Sequence, residues 1–241
     1  MTKLDQQIAS AVRYFWKARS TQQRKQEGLG RKDQGDRGAV TGGGQLDGFI
    51  RLISELAIEA GCPKDSIITD KHVQLPGFFR PTKEWDLIII GNGQLLASLE
   101  LKSHIGPSFG NNYNNRTEEA LGSATDIWTA FREGAFKVSQ RPWLGYFMLL
   151  EDDPRSRTPV SVREPHFQVF EEFRGASYAK RYELLCLRLL RERLYDGACL
   201  LTSKRNEGKK GSYTEPLDEL SFRTFITSFL ARVTAFKKFA C

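Results

Sequence analysis

The stretch WDLIIIGNGQLLASLELKSH, residues 85–104, decides the fold of this chain. Two apolar runs flank a Gly-Asn-Gly turn, a pattern that predicts a β-hairpin next to a hydrophobic core. Three charged side chains, Asp86, Glu100 and Lys102, interrupt these runs. Burying an unpaired charge is costly, so the three charges need partners or a ligand that compensates for their desolvation.

The side-chain pattern of the second run predicts one apolar and one polar face. Alternation along a strand gives an apolar face of Leu95, Ala97, Leu99 and Leu101 and a polar face of Ser98, Glu100 and Lys102. Asp86 joins the polar face only if the numbers of the two residues in each cross-strand pair of the hairpin add to an even total. A three-residue loop would set Asp86 opposite Ser98 and diagonal to Glu100, whereas a tight two-residue turn without a bulge would point Asp86 the wrong way. We therefore expect the three-residue or bulged form.

The composition is that of a globular protein with an excess of positive charge. Lys and Arg outnumber Asp and Glu by 36 to 29, for a net charge of +7 and an isoelectric point near 9.3, which favours a polyanionic partner. The first ten residues contain no apolar signal segment, and the apolar runs LIII and FMLL are far too short to span a membrane. These features predict a cytoplasmic protein without a membrane partner.

The cysteines and histidines do not form a recognisable metal motif. Cys62, Cys186, Cys199 and Cys241 lie far apart without C-x-x-C spacing, which predicts reduced thiols and argues against a structural zinc site. The histidines, His72, His104 and His166, are widely separated, so a histidine-based nuclease or metalloprotease site is not expected.

Hydrophobic periodicity predicts an α/β (α+β) fold: one mixed central sheet with helices on both faces, in a single domain, 1–241. The predicted helices are 5–28, 47–60, 116–136, 176–195 and 217–239, and the predicted strands are 66–69, 86–90, 94–103, 143–150 and 197–203. Gly-rich, Asn-rich and basic loops are expected at 28–46, 106–115 and 204–213. Asn115, with Glu118 three residues later, is the predicted N-cap of the third helix.

Two carboxylates beside a lysine on one sheet face are suited to metal-dependent hydrolysis. Asp86 and Glu100 would repel each other unless a cation lies between them, and their oxygens suit Mg²⁺. Lys102 could orient or help to deprotonate a water molecule and neutralise phosphate charge. The E-x-K spacing alone is weak, since Glu207-Gly208-Lys209 repeats it in a loop and such pairs usually lie on a solvated face. Because Asp86 stands at the start of one apolar strand and E-x-K lies on the next, a metal-dependent nuclease is the more specific hypothesis.

This arrangement resembles the PD-(D/E)xK nuclease superfamily. Longer strings, FFRPTKEWDLIII, LELKSHIGPSFGNNYNNRTEEALGSATDIWTAFREGAF and GASYAKRYELLC, resemble the XhoI family of type II restriction endonucleases over nearly the whole chain, least in 204–216. The resemblance implies that Asp86 and Glu100 bind the metal and that Lys102 is the catalytic lysine. One departure is that Trp85, not proline, precedes Asp86, with Pro81 five residues upstream. A further ligand from helix 47–60, Glu55 or Glu59, occurs in this superfamily but is equally consistent with a solvated acid.

The resemblance also implies a biological setting. It implies Mg²⁺-dependent cleavage of both strands of double-stranded DNA at CTCGAG by a homodimer, with a companion DNA methyltransferase that protects the same site. Two other classes remain open: another PD-(D/E)xK nuclease that acts in DNA repair or recombination, and a DNA-binding protein without catalysis. The second would lack one of the three charged residues, and all three are present.

Candidates for DNA contact follow the E-x-K strand. Asn111, Asn112, Asn114 and Arg116 have side chains that pair with adenine or guanine edges, although Asn-Gly clusters also make ordinary turns. The candidates for phosphate contact are Arg174, Lys180, Arg181, Arg188, Arg191, Arg193, Lys204, Arg205, Lys209 and Lys210, some of which must be ordinary surface residues. The Gly-rich segment 37–48 lacks the spacing of a nucleotide-binding loop and is interpreted as a loop that orders on DNA.

Overall fold

The computed structural model describes residues 1–28, 44–137 and 139–239. Most of the predicted Gly-rich loop lies outside these residues, as does Cys241. Cys62, Cys186 and Cys199 are buried free thiols. Among the described helices, none is long and apolar enough to cross a membrane.

The centre of the fold is a mixed five-stranded sheet in the order β1-β4-β5-β6-β7. Its strands are β1 (Ile67–Ile68), β4 (Leu87–Gly91), β5 (Gln94–His104), β6 (Trp143–Glu151) and β7 (Gly197–Ser203). The first three strands pair antiparallel, and β5, β6 and β7 pair parallel, so the predicted mixed sheet is confirmed. A separate two-stranded sheet, β2 (Gln74–Pro76) and β3 (Thr82–Glu84), was not predicted.

Helices cover both faces of the sheet, as predicted. The helices are α1 (Lys3–Gly28), α2 (Asp47–Glu59), α3 (Phe109–Arg132), α4 (Pro154–Arg157), α5 (Tyr178–Arg191), α6 (Arg205–Gly208) and α7 (Phe222–Phe239). One hydrophobic core joins the sheet to α1, α2 and α7, and a second joins the opposite face to α3 and α5.

Two glycines allow α7 to pack closely on the sheet. A Cβ atom on Gly145 of β6 or Gly197 of β7 would lie 2.4 Å from the ring of Trp143, so only glycine fits at either position. The Trp143 ring then packs against Phe225 and Phe229 of α7, with ring centroids 5.4 and 5.2 Å away. This contact fixes α7 over the two parallel strands.

The start of α3 differs most from the sequence prediction. The helix begins at Phe109 rather than 116, so most of the predicted loop 106–115 is helical and the predicted N-cap role of Asn115 is wrong. Phe109 and Tyr113, one turn apart, are both buried in the core between α3 and α5. Their burial outweighs the poor helix propensity of the intervening Gly and Asn residues. At the other end of the chain, α7 begins at Phe222, after a 3₁₀ turn at Asp218–Leu220.

The central hairpin has a tight turn and a compensating bulge. Asn92 and Gly93 both have positive φ, 51° and 72°, as a two-residue turn of type I′ requires. The register then shifts between Ile89 and Ile90, because Leu96 is an extra residue on β5. The predicted bulged form is confirmed and the three-residue loop is wrong.

The bulge decides which side chains share a face. Beyond it, Leu87 pairs with Leu99, so the same register sets Asp86 across from Glu100 rather than Ser98. Leu95 is therefore on the face of α3 and α5, contrary to the prediction, whereas Ala97, Leu99 and Leu101 pack on the other face as predicted.

Candidate active site

Asp86, Glu100 and Lys102 come together on the sheet face covered by α3 and α5. Asp86 stands immediately before β4, and the other two project from β5 beside the parallel strand β6, where Glu100 is paired with Tyr146. Glu100 is only 4% exposed. The three residues are thus brought together as the sequence predicted, at the edge of a buried layer.

The Asp86 carboxylate is held in place from the neighbouring strand. Its Oδ2 atom accepts a hydrogen bond of 2.7 Å from the backbone N–H of Leu101. The pKa of Asp86 is raised from 3.8 to about 6: burial is the largest cause and the Glu100 charge adds to it, while Lys102, the Leu101 hydrogen bond and Lys83 oppose them. The site therefore disfavours two bare carboxylates side by side, as a cation-binding pair should.

The Glu100 carboxylate lies between two lysines. Lys102 forms an ion pair with Oε1, and the Nζ atom of Lys83 lies 2.6 Å from Oε2. Burial alone would raise the pKa of Glu100, but the charges of Lys102 and Lys83 outweigh it and lower that pKa below its ordinary value. Burial likewise lowers the pKa of Lys102, but the Glu100 and Asp86 charges outweigh it, so the pKa of Lys102 is raised. Glu100 remains ionised and Lys102 protonated.

Lys83 was missed by the sequence reasoning. It lies on β3, its side chain is 11% exposed, and its Nζ atom also donates to the Glu84 carbonyl (2.8 Å) and lies 4.3 Å from the centre of the Trp85 ring. The three-residue strand TKE has no apolar alternation to mark it as structured. The position of this strand depends on its pairing with β2, for which the sequence contains no recognisable signal.

The cluster opens into a cleft of about 570 Å³. Glu100, Lys102 and Lys83 are among the residues that line it. Its walls include Phe79 and Arg80 from the β2–β3 loop and Glu118, Glu119, Leu121, Gly122, Ser123, Thr125 and Asp126 from α3. The cleft is open to solvent, so a phosphodiester chain can approach the buried carboxylate from outside.

The two carboxylates fit a magnesium ion whose remaining ligands are water and substrate phosphate oxygens. In the described parts of the chain, no three His, Cys, Asp or Glu side chains form a metal-binding group. Asp86 and Glu100 nevertheless supply two hard oxygen donors on one face, which is what Mg²⁺ uses when water and phosphate complete its shell. The helix acids do not join them: Glu59 pairs with Lys3 (3.2 Å), Glu55 is exposed, and α2 packs on the opposite sheet face.

Comparison with known proteins identifies the family to which this chain belongs. The family model described as restriction endonuclease XhoI matches residues 25–215, a segment that contains the whole cluster. The chain belongs to the XhoI restriction endonuclease family. The type II restriction enzyme BstVI of Geobacillus stearothermophilus is 55% identical over 207 residues, 84% of this chain and 92% of that protein. The type II restriction enzyme XhoI of Xanthomonas vasicola is 41% identical over 192 residues, 79% of this chain and 77% of that protein.

A third relative is the type II restriction enzyme AbrI of Azospirillum brasilense. It is 44% identical over 165 residues, 68% of this chain and 74% of that protein. No solved structure matches the chain significantly. The predicted class, a type II restriction endonuclease, is therefore confirmed at the level of the family.

The four DNA-contact candidates of this XhoI family member lie on the first two turns of α3. Asn111 and Asn114 are exposed. Asn112 and Arg116, one turn apart, line a small cavity of about 40 Å³ together with Ser103 and His104. The four side chains thus do not share one face. Arg116 also pairs with Glu119 (2.6 Å), so an approach of Arg116 to a base would have to break this contact.

His104 anchors the end of β5 to the helices. It is 2% exposed, its Nε2 atom lies 3.3 Å from the Ser108 carbonyl, and its Nδ1 atom lies 2.7 Å from the Tyr182 hydroxyl. Because a carbonyl only accepts, Nε2 carries the proton and Nδ1 accepts from Tyr182. Burial lowers the pKa of His104 to about 4, so it is neutral at physiological pH. These contacts join the end of β5 to α5 and to the segment before α3.

Many of the predicted phosphate-contact residues are engaged within the protein. Ion pairs join Arg174 to Glu164 and Glu171, Lys180 to Glu183, Arg188 to Glu172, Lys204 to Glu207 and Arg205 to Glu151. Arg181 donates to two backbone carbonyls. The remaining candidates, Arg191, Arg193, Lys209 and Lys210, are exposed. Lys180 and Lys204 are exposed as well, so exposure alone does not single out a phosphate contact.

Proposed function

We propose that this chain is a type II restriction endonuclease that hydrolyses both strands of double-stranded DNA with Mg²⁺ as cofactor, at the palindrome CTCGAG. The observation that carries the proposal is the ion pair of the buried Glu100 with Lys102, which lines an open cleft beside Asp86, in a member of a restriction endonuclease family. The net charge of +7 supports a nucleic-acid substrate.

Asp86 and Glu100 would hold the metal through their carboxylate oxygens. When bound, Mg²⁺ lowers the pKa of a coordinated water molecule and stabilises charge on the phosphate under attack. Lys102 remains protonated because two carboxylates surround it, so it orients the attacking water and neutralises phosphate charge rather than acting as the initial base. Glu100 positions Lys102 through their ion pair.

One chain supplies one cluster of this kind among its described residues, and a duplex has two strands to cut. A homodimer would place one cluster at each strand, with its twofold axis on that of the palindrome. The enzyme would then act in the cytoplasm beside a companion DNA methyltransferase that modifies the same site.

The test uses two linear DNA duplexes that differ only in one CTCGAG site, with Mg²⁺ or with EDTA. We expect one cut, in the duplex with the site, and only with Mg²⁺. Glu100→Gln and Lys102→Met should slow cleavage by about 10³-fold or more while site-specific binding in Ca²⁺ persists. The matched controls are Glu219→Gln and Lys71→Met, which change the same residue types at exposed positions outside the cleft and should cleave normally.

Other outcomes separate the rivals. Cutting at a different repeated sequence would retain the chemistry and reject CTCGAG. Cutting governed by ends or branches would favour a repair or recombination nuclease. Tight binding by the folded wild-type protein without any cutting would favour a non-catalytic DNA-binding protein.

A further inference from the structure

The second lysine at Glu100 raises a problem for metal binding. Lys83 and Lys102 each take one Glu100 oxygen, so neither carboxylate oxygen lacks an ammonium partner. Together with Asp86, the four side chains carry two negative and two positive charges. The cluster is therefore neutral without a metal, and a divalent cation would add charge to a site that is already balanced.

The two lysines differ in how they are attached. Lys102 extends from the central strand β5, two residues from Glu100, so the sheet keeps it beside the carboxylate. Lys83 belongs to the small sheet of β2 and β3, whose connecting loop forms the rim of the cleft. Its long side chain lies over Trp85 and reaches Glu100 from the wall of the cleft. A rotation about its side-chain bonds moves the ammonium group towards the open cleft without any change in the sheet.

We propose that Lys83 is an internal counter-ion that competes with the divalent cation for Glu100 and thereby makes metal binding depend on bound DNA. This inference rests on the proposed function. Without DNA, Lys83 neutralises Glu100 and weakens metal binding. When DNA occupies the cleft, a backbone phosphate offers Lys83 a new partner and releases the Glu100 oxygen to the metal. Because such coupling is reciprocal, the metal then strengthens DNA binding by the same factor.

The first test measures binding of Mn²⁺ alone to the free protein, from the electron paramagnetic resonance signal of unbound Mn²⁺. Lys83→Met removes the charge but retains a long apolar chain over Trp85. We expect it to bind Mn²⁺ about tenfold more tightly than wild type, within the usual range of coupling between sites. Lys83→Arg, which retains the charge, should bind like wild type. Lys71→Met, the loss of one exposed lysine outside the cleft, should do the same.

A thermal scan provides a second readout that needs no cleavage. Without metal, Lys83→Met leaves Glu100 with one lysine and should unfold at a lower temperature than wild type. Mn²⁺ should then raise the unfolding temperature more in the variant than in wild type, because a ligand stabilises in proportion to its affinity for the folded state. If Lys83→Met does not fold, Lys83→Gln takes its place in both measurements.

The third measurement tests the coupling on uncleaved DNA. Duplex affinity is measured by fluorescence anisotropy in EDTA and in Ca²⁺. Wild type should gain affinity with the metal, and the neutral variant should gain about tenfold less.

The outcomes distinguish this inference from the proposed function. Equal or weaker Mn²⁺ binding by the neutral variant would overturn the inference, since a lysine that only supports Glu100 would help the metal. If Glu100→Gln abolishes Mn²⁺ binding and Lys83→Met leaves it unchanged, the metal site stands and the inference falls. If Glu100→Gln also leaves Mn²⁺ binding unchanged, the metal site of the proposed function falls with it.

Discussion

In the metal-free protein, burial disfavours the ionised form of Asp86. Its pKa is raised from 3.8 to about 6, chiefly by burial, so the folded protein binds this proton more tightly than the unfolded chain. The resulting stability is fully present below pH 3.8 and is lost as the pH rises through 6. At pH 8 the ionised side chain is therefore a net cost, which a bound cation would offset.

Asp86→Asn should for this reason stabilise the metal-free protein at pH 8. The amide oxygen can still accept from the Leu101 N–H, and the buried charge is gone. We expect the free energy of unfolding in urea with EDTA to rise by about 1–3 kcal/mol, because a change of one in the pKa corresponds to about 1.4 kcal/mol. The gain should disappear near pH 4, where the wild-type side chain is protonated.

Glu100→Gln is a control of opposite sign for that experiment. The pKa of Glu100 is lowered because Lys102 and Lys83 outweigh its burial, so its ionised form stabilises the fold, and its loss should destabilise the protein at pH 8. Added Mg²⁺ should stabilise wild type only slightly, because Lys83 competes for Glu100 without DNA, and should stabilise neither variant. A less stable Asp86→Asn protein at pH 8 would contradict the reasoning.

At the scale of single residues, the sequence predicts the three charged residues of the site but not their fourth partner, Lys83. Strand alternation alone places Glu100 and Lys102 on one face, whereas Asp86 joins them only if the hairpin has a bulge or a three-residue loop. Lys83 could not be predicted, because its contact with Glu100 depends on how a three-residue strand folds back against β2. The residue type does not indicate burial either, because exposed lysines far outnumber buried ones.

At the scale of elements, Asp126 joins helix α3 to the β2–β3 loop. Its carboxylate accepts from the backbone N–H groups of Phe78 (2.8 Å) and Phe79 (2.9 Å) and from the Arg80 Nε atom (2.6 Å). Its side chain is 5% exposed. One acid therefore fixes the loop that forms the rim of the cleft and carries two exposed phenylalanines.

Asp126→Ala should detach this loop and destabilise the protein. Hydrogen bonds to a charged group are worth about 1.5–3 kcal/mol, and the loss leaves two backbone N–H groups without this acceptor. We expect a loss of that size in urea unfolding and faster hydrogen exchange at the amides of Phe78 and Phe79. Glu59→Ala, which breaks the exposed Lys3 pair, is the matched control and should cost less than about 1 kcal/mol. Unchanged exchange at the two amides would refute the anchoring role.

Two elements show why local sequence patterns were insufficient. Asn92-Gly93 forms the tight turn that its residues favour, and the face of Asp86 is decided instead by one extra residue, Leu96, several positions away. A bulge of this kind leaves no mark in apolar alternation, because Leu95 and Leu96 are equally apolar. The early start of α3 has a different cause: burial of Phe109 and Tyr113 is a tertiary effect that outweighs local propensity.

At the scale of the whole molecule, two hydrophobic cores share one sheet. The core with α1, α2 and α7 and the core with α3 and α5 are built on alternate residues of the same strands β4, β5 and β6. Loss of either core would expose one face of the central strands to water. We therefore predict that the two cores unfold together, as would follow if the predicted single domain is correct.

The four tryptophans can test this coupling, because two lie in each core. Trp16 and Trp143 lie on the α1, α2 and α7 side, and Trp85 and Trp128 on the α3 and α5 side. The double variants Trp16→Phe/Trp143→Phe and Trp85→Phe/Trp128→Phe each leave fluorescence from one core alone. Each variant will be less stable than wild type, so the comparison is made within a variant, between its fluorescence and its far-ultraviolet circular dichroism. In both variants we expect the unfolding midpoints from fluorescence and from circular dichroism to coincide. A fluorescence midpoint that differs from the dichroism midpoint in either variant would show that one core unfolds first and that the chain has two cooperative units.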